Sequence, residues 1–438
     1  MNIFKMFQFI LLIFLFFKFK CSYYIPNIKV DHIYNNTYIY NNKSKISDKF
    51  LYGNVKKNSK GEIFRNIPRE NSSNENITYK FTKLNESKGE FISWPNNNTN
   101  DSFFSIIAFE IDSKDNIYIL DEGEKNGKIK LYKFNNKGEK IDNYNIFDNA
   151  NLTICDFVFD EINNYAYISY YENLNNKTNS TENTNIDYKA GFLFKQLSKS
   201  SNREGDATKI MLNEKKFKYD NRYELSNNFI QNYFLDSAKK LLSIGLSCDG
   251  EVLFFSPLNS RMIFSVSTEI FRKKHYLESL SSKQVKEAYK NDSSSTMIAG
   301  NLGNLYFSGI ENEVIYIVGQ VDNDLSIFNY KGIKQIKIDK NRTFHWPTKM
   351  SIMNGTLYIT SININITEKD NNNFTVYTNL LSTQIGKEMS YTFKCAGIGH
   401  KWGLKSYIIW AIFIFIVIFV LVFVFIGNIE DKGTNKRD

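Results

Sequence analysis

Four histidines, His32, His275, His345 and His400, and a scatter of carboxylates near turns are the side chains here best equipped for chemistry. No two histidines stand at the spacing of a metal-binding pair, and none lies in the sequence context of a Ser or Cys nucleophile. His345 precedes Trp346-Pro347 at a predicted blade edge, where a packed structural role competes with a functional one. Asp121, Glu122, Asp160 and Asp249 fall at turns or strand ends and offer the hard oxygen ligands that Ca²⁺ prefers. The competing reading is that such carboxylates hydrogen-bond their own backbone and close turns. Ser256 sits in Phe255-Ser256-Pro257, which is not the Gly-x-Ser-x-Gly elbow of a hydrolase, and no Gly-rich phosphate loop occurs. The 27 Tyr and 37 Phe could line an amine-binding pocket through cation–π contacts, or fill the space between sheets.

Whatever these groups do, a repeated element must position them. An apolar-aromatic-apolar triplet recurs six times behind a polar turn: Thr37-Tyr38-Ile39, Ile117-Tyr118-Ile119, Ala166-Tyr167-Ile168, Leu253-Phe254-Phe255, Leu305-Tyr306-Phe307 and Leu357-Tyr358-Ile359. Turns such as Asp249-Gly250 and Asn354-Gly355 supply the positive φ of a tight hairpin, and the triplets suit a strand packed on both faces. Steps of about 50 residues match one four-stranded propeller blade, a unit that cannot bury its own faces and is repeated radially until the ring closes. The expected fold is therefore all-β, a six-bladed β-propeller. Asn- and Lys-rich polar stretches at 67–102, 171–189 and 280–296 read as loop insertions, with a short helical option within Phe271–Lys290.

The two ends bound where this object acts. A basic start and the apolar run Phe7–Phe17 make 1–21 a signal peptide, and the uncharged stretch 406–427 is long enough for one transmembrane helix. Between them 22–395 is read as one propeller domain, 396–405 as a stalk and 428–438 as a cytoplasmic tail, which makes a single-pass type I membrane protein of the secretory pathway. Once the leader is gone, Cys155, Cys248 and Cys395 allow one internal disulfide with one thiol over. Sequons at Asn42, Asn76, Asn176, Asn341 and Asn365 permit glycosylation. The formal charge of +9 is spread through polar segments without a basic stripe, so nucleic acid is not an expected partner.

The segment Ser243–Arg272, SIGLSCDGEVLFFSPLNSRMIFSVSTEIFR, resembles the Yellow and major royal jelly protein family. Gly245, Asp249, Gly250, Pro257, Leu258, Ser260, Thr268 and Arg272 occupy the matching slots, as do Trp346-Pro347 in a later block. Phe109–Gly123 and Asn301–Gly309 are similar to the same family in the same order, although Tyr118 stands where the family has Trp and Asn116 where it has Gly. The resemblance implies a six-bladed propeller, with structural positions but no catalytic constellation to carry over. It also implies one of two activities: binding of small amines or sterols, or chemistry tied to melanin. The expected function is a membrane-tethered extracellular or lumenal binding module for a protein or small ligand. The alternative is a propeller enzyme, either a metal-dependent hydrolase, with Ca²⁺ the candidate cofactor, or a quinone isomerase.

Overall fold

The computed structural model describes residues 30–41, 53–66, 81–85, 87–88, 90–95, 103–123, 128–148, 152–173, 188–197, 207–212, 242–258, 260–273, 279–290, 292–319, 334–337, 346–366 and 373–386, with positions 390, 392 and 418. They form six sheets. The strand β1 (Val30–Asn41) belongs to the last of these. Blade 1 is β2 (Val55–Lys57), β3 (Ile63–Asn66), β4 (Phe81–Asn85) and β5 (Glu90–Ser93). Blade 2 is β6 (Ile106–Ile111), β7 (Ile117–Asp121), β8 (Ile129–Phe134) and β9 (Lys140–Phe147). Blade 3 is β10 (Leu152–Asp160), β11 (Tyr165–Asn173), β12 (Tyr188–Gln196) and β13 (Thr208–Leu212). Blade 4 is β14 (Leu242–Leu246), β15 (Val252–Pro257), β16 (Met262–Ser267) and the outer strand β18 (Val285–Tyr289); between β16 and β18 come the helix α1 (Glu269–Lys273) and β17 (Ser279–Leu280), which pairs in parallel with β13 as a fifth strand on the rim of blade 3. Blade 5 is β19 (Met297–Ala299), β20 (Leu305–Gly309), β21 (Val314–Val318) and β22 (Lys334–Lys337). Blade 6 is β23 (Trp346–Met353), β24 (Thr356–Ile366) and β25 (Asn373–Gln384), completed by β1 on its outer edge.

The first strands pack round an axis: β2 on β23, β23 on β19, β19 on β14, β14 on β10 and β10 on β6, while β6 returns to β3 of blade 1. Burial follows from that position. Strands β6, β14 and β23 are buried throughout, whereas the outer strand β9 alternates with solvent, as expected for a rim that has water on one side. Aromatic rings join neighbouring blades. Phe81 meets Phe109 edge-on at 4.8 Å, Tyr118 stacks on Phe159 at 4.1 Å, and Phe192 meets Phe255 at 5.2 Å.

Five of the six triplets are second strands entered from tight hairpins, at β7, β11, β15, β20 and β24. The turn residues Asp115, Asn164, Asn354 and Gly250 have positive φ, the conformation for which Asn, Asp and Gly are selected. The triplet Thr37-Tyr38-Ile39 is different, because it lies inside β1 and pairs with β25 without a turn before it. Blade 1 instead carries its marker at Phe64, fully buried behind Gly61, whose φ is 91°. The stretch 67–102 is accordingly no insertion, since β4 and β5 fall within it and complete that blade. Composition also misleads at 280–296. Val285–Tyr289 is a strand, and Ser293, Ser294, Ser295 and Thr296 are buried on the way into β19, with Ser294, Ser295 and Thr296 bonded around Ser308. At 171–189 the strands β11 and β12 extend inward to the Asn173–Tyr188 pair, and the remainder lies outside the described residues. The helical option within Phe271–Lys290 reduces to α1.

The hairpins between first and second strands share one face of the ring, here the hairpin face. Carboxylates on it tie blade 2 to blade 1 and blade 3 to blade 2: Asp115 accepts from the Ser59 N–H at 2.8 Å and hydroxyl at 2.6 Å, and Glu161 accepts from Ser113 in the same way. The segments read as signal peptide (1–21) and transmembrane helix (406–427, Ile418 excepted) lie outside the described residues, and among those described no helix is long and apolar enough to cross a membrane. Since Phe64 stands 5.2 Å from Trp94 and 6.2 Å from Phe81, Phe64→Ala is expected to lower stability by about 3–5 kcal/mol in denaturant unfolding.

Candidate functional site

Register fixes what faces the axis. Opposite the buried marker of each second strand stands one residue of the first strand: Lys56 across from Phe64, Glu110 from Tyr118, Val158 from Tyr167, Gly245 from Phe254, Ile298 from Tyr306 and Ser351 from Tyr358. Two residues earlier in the first strand come Asp156 in blade 3 and Lys349 in blade 6. All of these first-strand positions except Ser351 line a narrow, partly open cavity on the axis, with walls from all six first strands.

Four charged side chains line this tunnel together with Asn54, Thr296 and apolar residues. Lys56 Nζ lies 2.6 Å from Glu110 Oε1, joining blades 1 and 2, with both side chains less than a tenth exposed. Lys349 Nζ meets Asp156 Oδ1, and this pair joins blades 6 and 3, which face each other across the ring. Asp156 also accepts from the Phe157 N–H at 2.9 Å, so its orientation is set by backbone as well as charge. A register shift stands next to each end of the cross-channel pair, between Ile154 and Asp156 and between Pro347 and Lys349. The bulged residues are Cys155 and Thr348, so the regular alternation that puts Asp156 and Lys349 on the axial side begins just past each bulge. Burial raises the Glu110 carboxyl above its usual range, and Lys56 beside it works in the opposite direction.

Buried charges in pairs are expensive to desolvate and are kept where the geometry satisfies them. Two cations and two anions within one small cavity can exchange partners with a ligand that carries either sign, so the chemistry on offer is recognition of a small charged molecule. The signal in the sequence was a single charge inside a buried run, Glu110 in Ile106–Ile111 and Lys349 in Trp346–Met353.

The residues first singled out go elsewhere. Asp121 lies on the face opposite the hairpins and accepts from the N–H groups of Phe104 and Ser105, so it caps the entry to β6. Glu122 adjoins it, half-buried. Asp160, on the hairpin face, accepts from Asn163 through backbone and side-chain N–H, both at 2.9 Å, and lies 3.5 Å from Arg272; burial raises its carboxyl. Asp249 accepts from Ser247 Oγ and the Glu251 N–H and closes its own turn. None of the four lines the axial cavity, and among the described residues no group of His, Cys, Asp and Glu is arranged to hold a metal ion. His345 lies outside the described residues.

The positions carried by family resemblance have a joint explanation. The segment 243–272 is the body of blade 4 plus α1, and Arg272 returns from the helix to donate to the Gly250 carbonyl, which Thr268 Oγ1 also reaches. A Cβ on Gly250 would stand 2.7 Å from Asp160 Oδ1, so glycine is required for the hairpin of blade 4 to seat against blade 3. Ser260 Oγ accepts from the Met262 N–H, Leu258 and Trp346 are buried, and the Pro347 carbonyl accepts from Ser295 Oγ. Gly245 leaves room for Met297, whose Cγ would lie 3.3 Å from an added Cβ.

Residues 209–392 match the family described as major royal jelly protein. The royal jelly match runs from within β13 through blades 4, 5 and 6, and includes the Gly250–Arg272 knot. No curated protein matches the chain in sequence. Solved structures with a similar trace include a luciferin-regenerating enzyme at 10% identity, covering 78% of this chain and 95% of that one with a TM-score of 0.40. Another is the calcium-binding protein regucalcin of Agrobacterium tumefaciens str. C58, at 11% identity, 78% and 94% coverage and a TM-score of 0.40. A third is the α-L-arabinofuranosidase Arb93A of Fusarium graminearum, at 10% identity, 79% and 97% coverage and a TM-score of 0.41.

A second charged cluster lies between blades 4 and 5. Arg261 Nη2 pairs with Glu311 Oε2 at 2.6 Å beside Asp292 and the fully buried Lys290, whose Nζ has no hydrogen-bond partner among the described residues. Burial pushes the Lys290 ammonium down to about 7, with Asp292 opposing and Arg261 reinforcing the shift. The unfolded chain holds that proton up to about pH 10.4, so at this site stability rises as pH climbs from 7 towards 10. Lys290→Met should therefore raise the thermal midpoint most at or below pH 7, by roughly 2–4 °C per kcal/mol recovered, with the gain fading near pH 10. For the axial pair, Lys349→Met leaves a buried carboxylate without its counter-charge and should cost about 3–5 kcal/mol; adding Asp156→Leu should return most of that loss in a double-mutant cycle.

Proposed function

We propose that this chain is a membrane-tethered binding propeller of the secretory pathway, which holds a small charged ligand in its axial cavity and does not turn it over. The observation that carries this reading is the set of two opposite-signed pairs, Lys56 with Glu110 and Lys349 with Asp156, inside a cavity walled by all six blades. Convergent charged and polar groups in a preformed cavity fix the orientation of a bound small molecule and give the site its specificity. The match of 209–392 to the royal jelly family supports a propeller of that kind.

In this proposal 1–21 is a removed leader, 22–395 the propeller, 396–405 a stalk, 406–427 the span and 428–438 a cytoplasmic tail, so the loops of the ring look into the lumen or the outside. A protein partner at a loop face is compatible with the same architecture.

The test is native mass spectrometry of the full chain in detergent, followed by thermal-shift measurements against amino acids, biogenic amines and dicarboxylates. At least one class is expected to raise the midpoint. The effect should vanish in Glu110→Gln, because that variant removes one charge of the four while keeping its volume. No shift from any class, together with stoichiometric Ca²⁺ or Zn²⁺ in the purified chain, would replace the binder with a metal-dependent hydrolytic propeller.

A further inference from the structure

Hydrogen-bonding capacity in the axial cavity is spent unevenly. Asp156 is well supplied: Lys349 Nζ and the Phe157 N–H reach one of its oxygens, and the Ile244 N–H reaches the other at 3.4 Å. Glu110 has one hydrogen-bond partner among the described residues, Lys56, while the charges of Asp156 and Lys349 also act on it, so the two pairs stand close together. An ammonium carries three N–H donors, and Lys56 and Lys349 each meet a single carboxylate. Spare donors on both lysines therefore face a carboxylate that has room for more.

Asn54 adds a second unspent acceptor. It lines the cavity at 4% exposure, and its Oδ1 is buried with no hydrogen-bond partner among the described residues. The residue is nevertheless held in place, because its backbone N–H donates to Asn66 Oδ1 at 2.7 Å and Asn66 Nδ2 donates in turn to the Ile106 carbonyl at 2.9 Å. A buried carbonyl oxygen in this state favours any occupant that brings it an N–H or O–H.

Charge balance limits what that occupant can be. Two lysines and two carboxylates sum to zero, and all four side chains are a tenth exposed or less. A ligand of one sign would leave a net charge in this space, which desolvation opposes. A molecule with one ammonium and one carboxylate keeps the sum at zero and meets both unspent sets. Its ammonium suits the oxygens of Glu110 and Asn54, and its carboxylate suits the spare N–H groups of Lys56 and Lys349. Ile298 and Met350 wall the narrow remainder, which leaves room for little apolar bulk.

Resting on the ligand-binding reading above, we infer that the axial cavity takes a small zwitterion, an α-amino acid with a short side chain or none, held between Glu110 and Asn54 on one side and Lys56 and Lys349 on the other. Binding opens the pair of Lys56 with Glu110, and each member exchanges its partner for a ligand group of the same sign as the one it leaves. The pair of Lys349 with Asp156 stays closed, because Asp156 is fixed by backbone N–H groups as well. Simple amines and simple carboxylates satisfy only half of the site.

The deciding experiment is calorimetric titration of the full chain in detergent with glycine and L-alanine, beside methylammonium, acetate, glycine methyl ester, N-acetylglycine and succinate. Glycine or L-alanine is expected to bind, and each analogue that lacks one of the two charges to bind about a hundredfold more weakly, since it leaves a buried charge unanswered. Asn54→Ala removes an oxygen that has no partner to lose in the free chain, and should weaken glycine about tenfold. A single-charge analogue or succinate that matches or exceeds the amino acids would overturn the zwitterion and leave the ligand-binding reading standing. An unchanged glycine affinity in Asn54→Ala would do the same. No binding by any of these probes would overturn both. The comparison among ligands uses the unaltered protein, so it does not depend on how any variant folds.

Discussion

A four-stranded sheet with apolar residues on both faces cannot be stable alone, and every other property of this protein follows from how six such sheets are made to cover one another. Each blade hides its faces against two neighbours, which requires the row to close, and closure is made by hydrogen bonds between chain ends. β1 lies along the full length of β25, from Val30 opposite Thr383 to Asn41 opposite Asn373. Backbone pairing over that length fixes the ring without a wedge of side chains at the seam. It also makes blade 6 a composite of residues from both ends of the sequence.

Within the closed ring the axis is the one place where all blades meet, and what stands there is charged. A pair between adjacent blades, Lys56 with Glu110, and a pair between opposing blades, Lys349 with Asp156, share a cavity in which all four side chains are a tenth exposed or less. Desolvation makes such an arrangement weak as a source of stability and strong as a source of specificity, because each charge tolerates few substitutes for its partner. The carboxylates on the hairpin face have the opposite character. Asp160 and Asp249 bind backbone within their own hairpins and shape them, while Asp115 reaches Ser59 and seats blade 2 on blade 1.

Much of the fold was legible in local chemistry. Asp115, Asn164, Gly250 and Asn354 mark hairpins because positive φ is a local demand that few residues meet, and the triplets behind them identify five second strands. Blade 1 escaped because its marker, Phe64, is followed by the charged Arg65, where the five recognised triplets carry Ile or Phe. The buried serines at 293–295 were mistaken for loop because composition does not reveal that Ser308 lies across from them. The axial charges were invisible for a similar reason: Lys349 and Asp156 are 193 residues apart, and only the closed ring brings them together.

The pairing of the first strand with the last sets the order in which the protein can be completed. Residues 30–41 are made before the rest of blade 6, to which they belong, and their partner at 373–384 follows only after the five other blades have been made. Until then blade 6 lacks its rim and the row of sheets has two open ends, so the seam forms late and joins the most distant contacts in the chain. Long-range pairing of this kind is slow and leaves strand edges exposed in the meantime. The finished ring covers those edges, so their exposure is greatest before residues 373–384 are made.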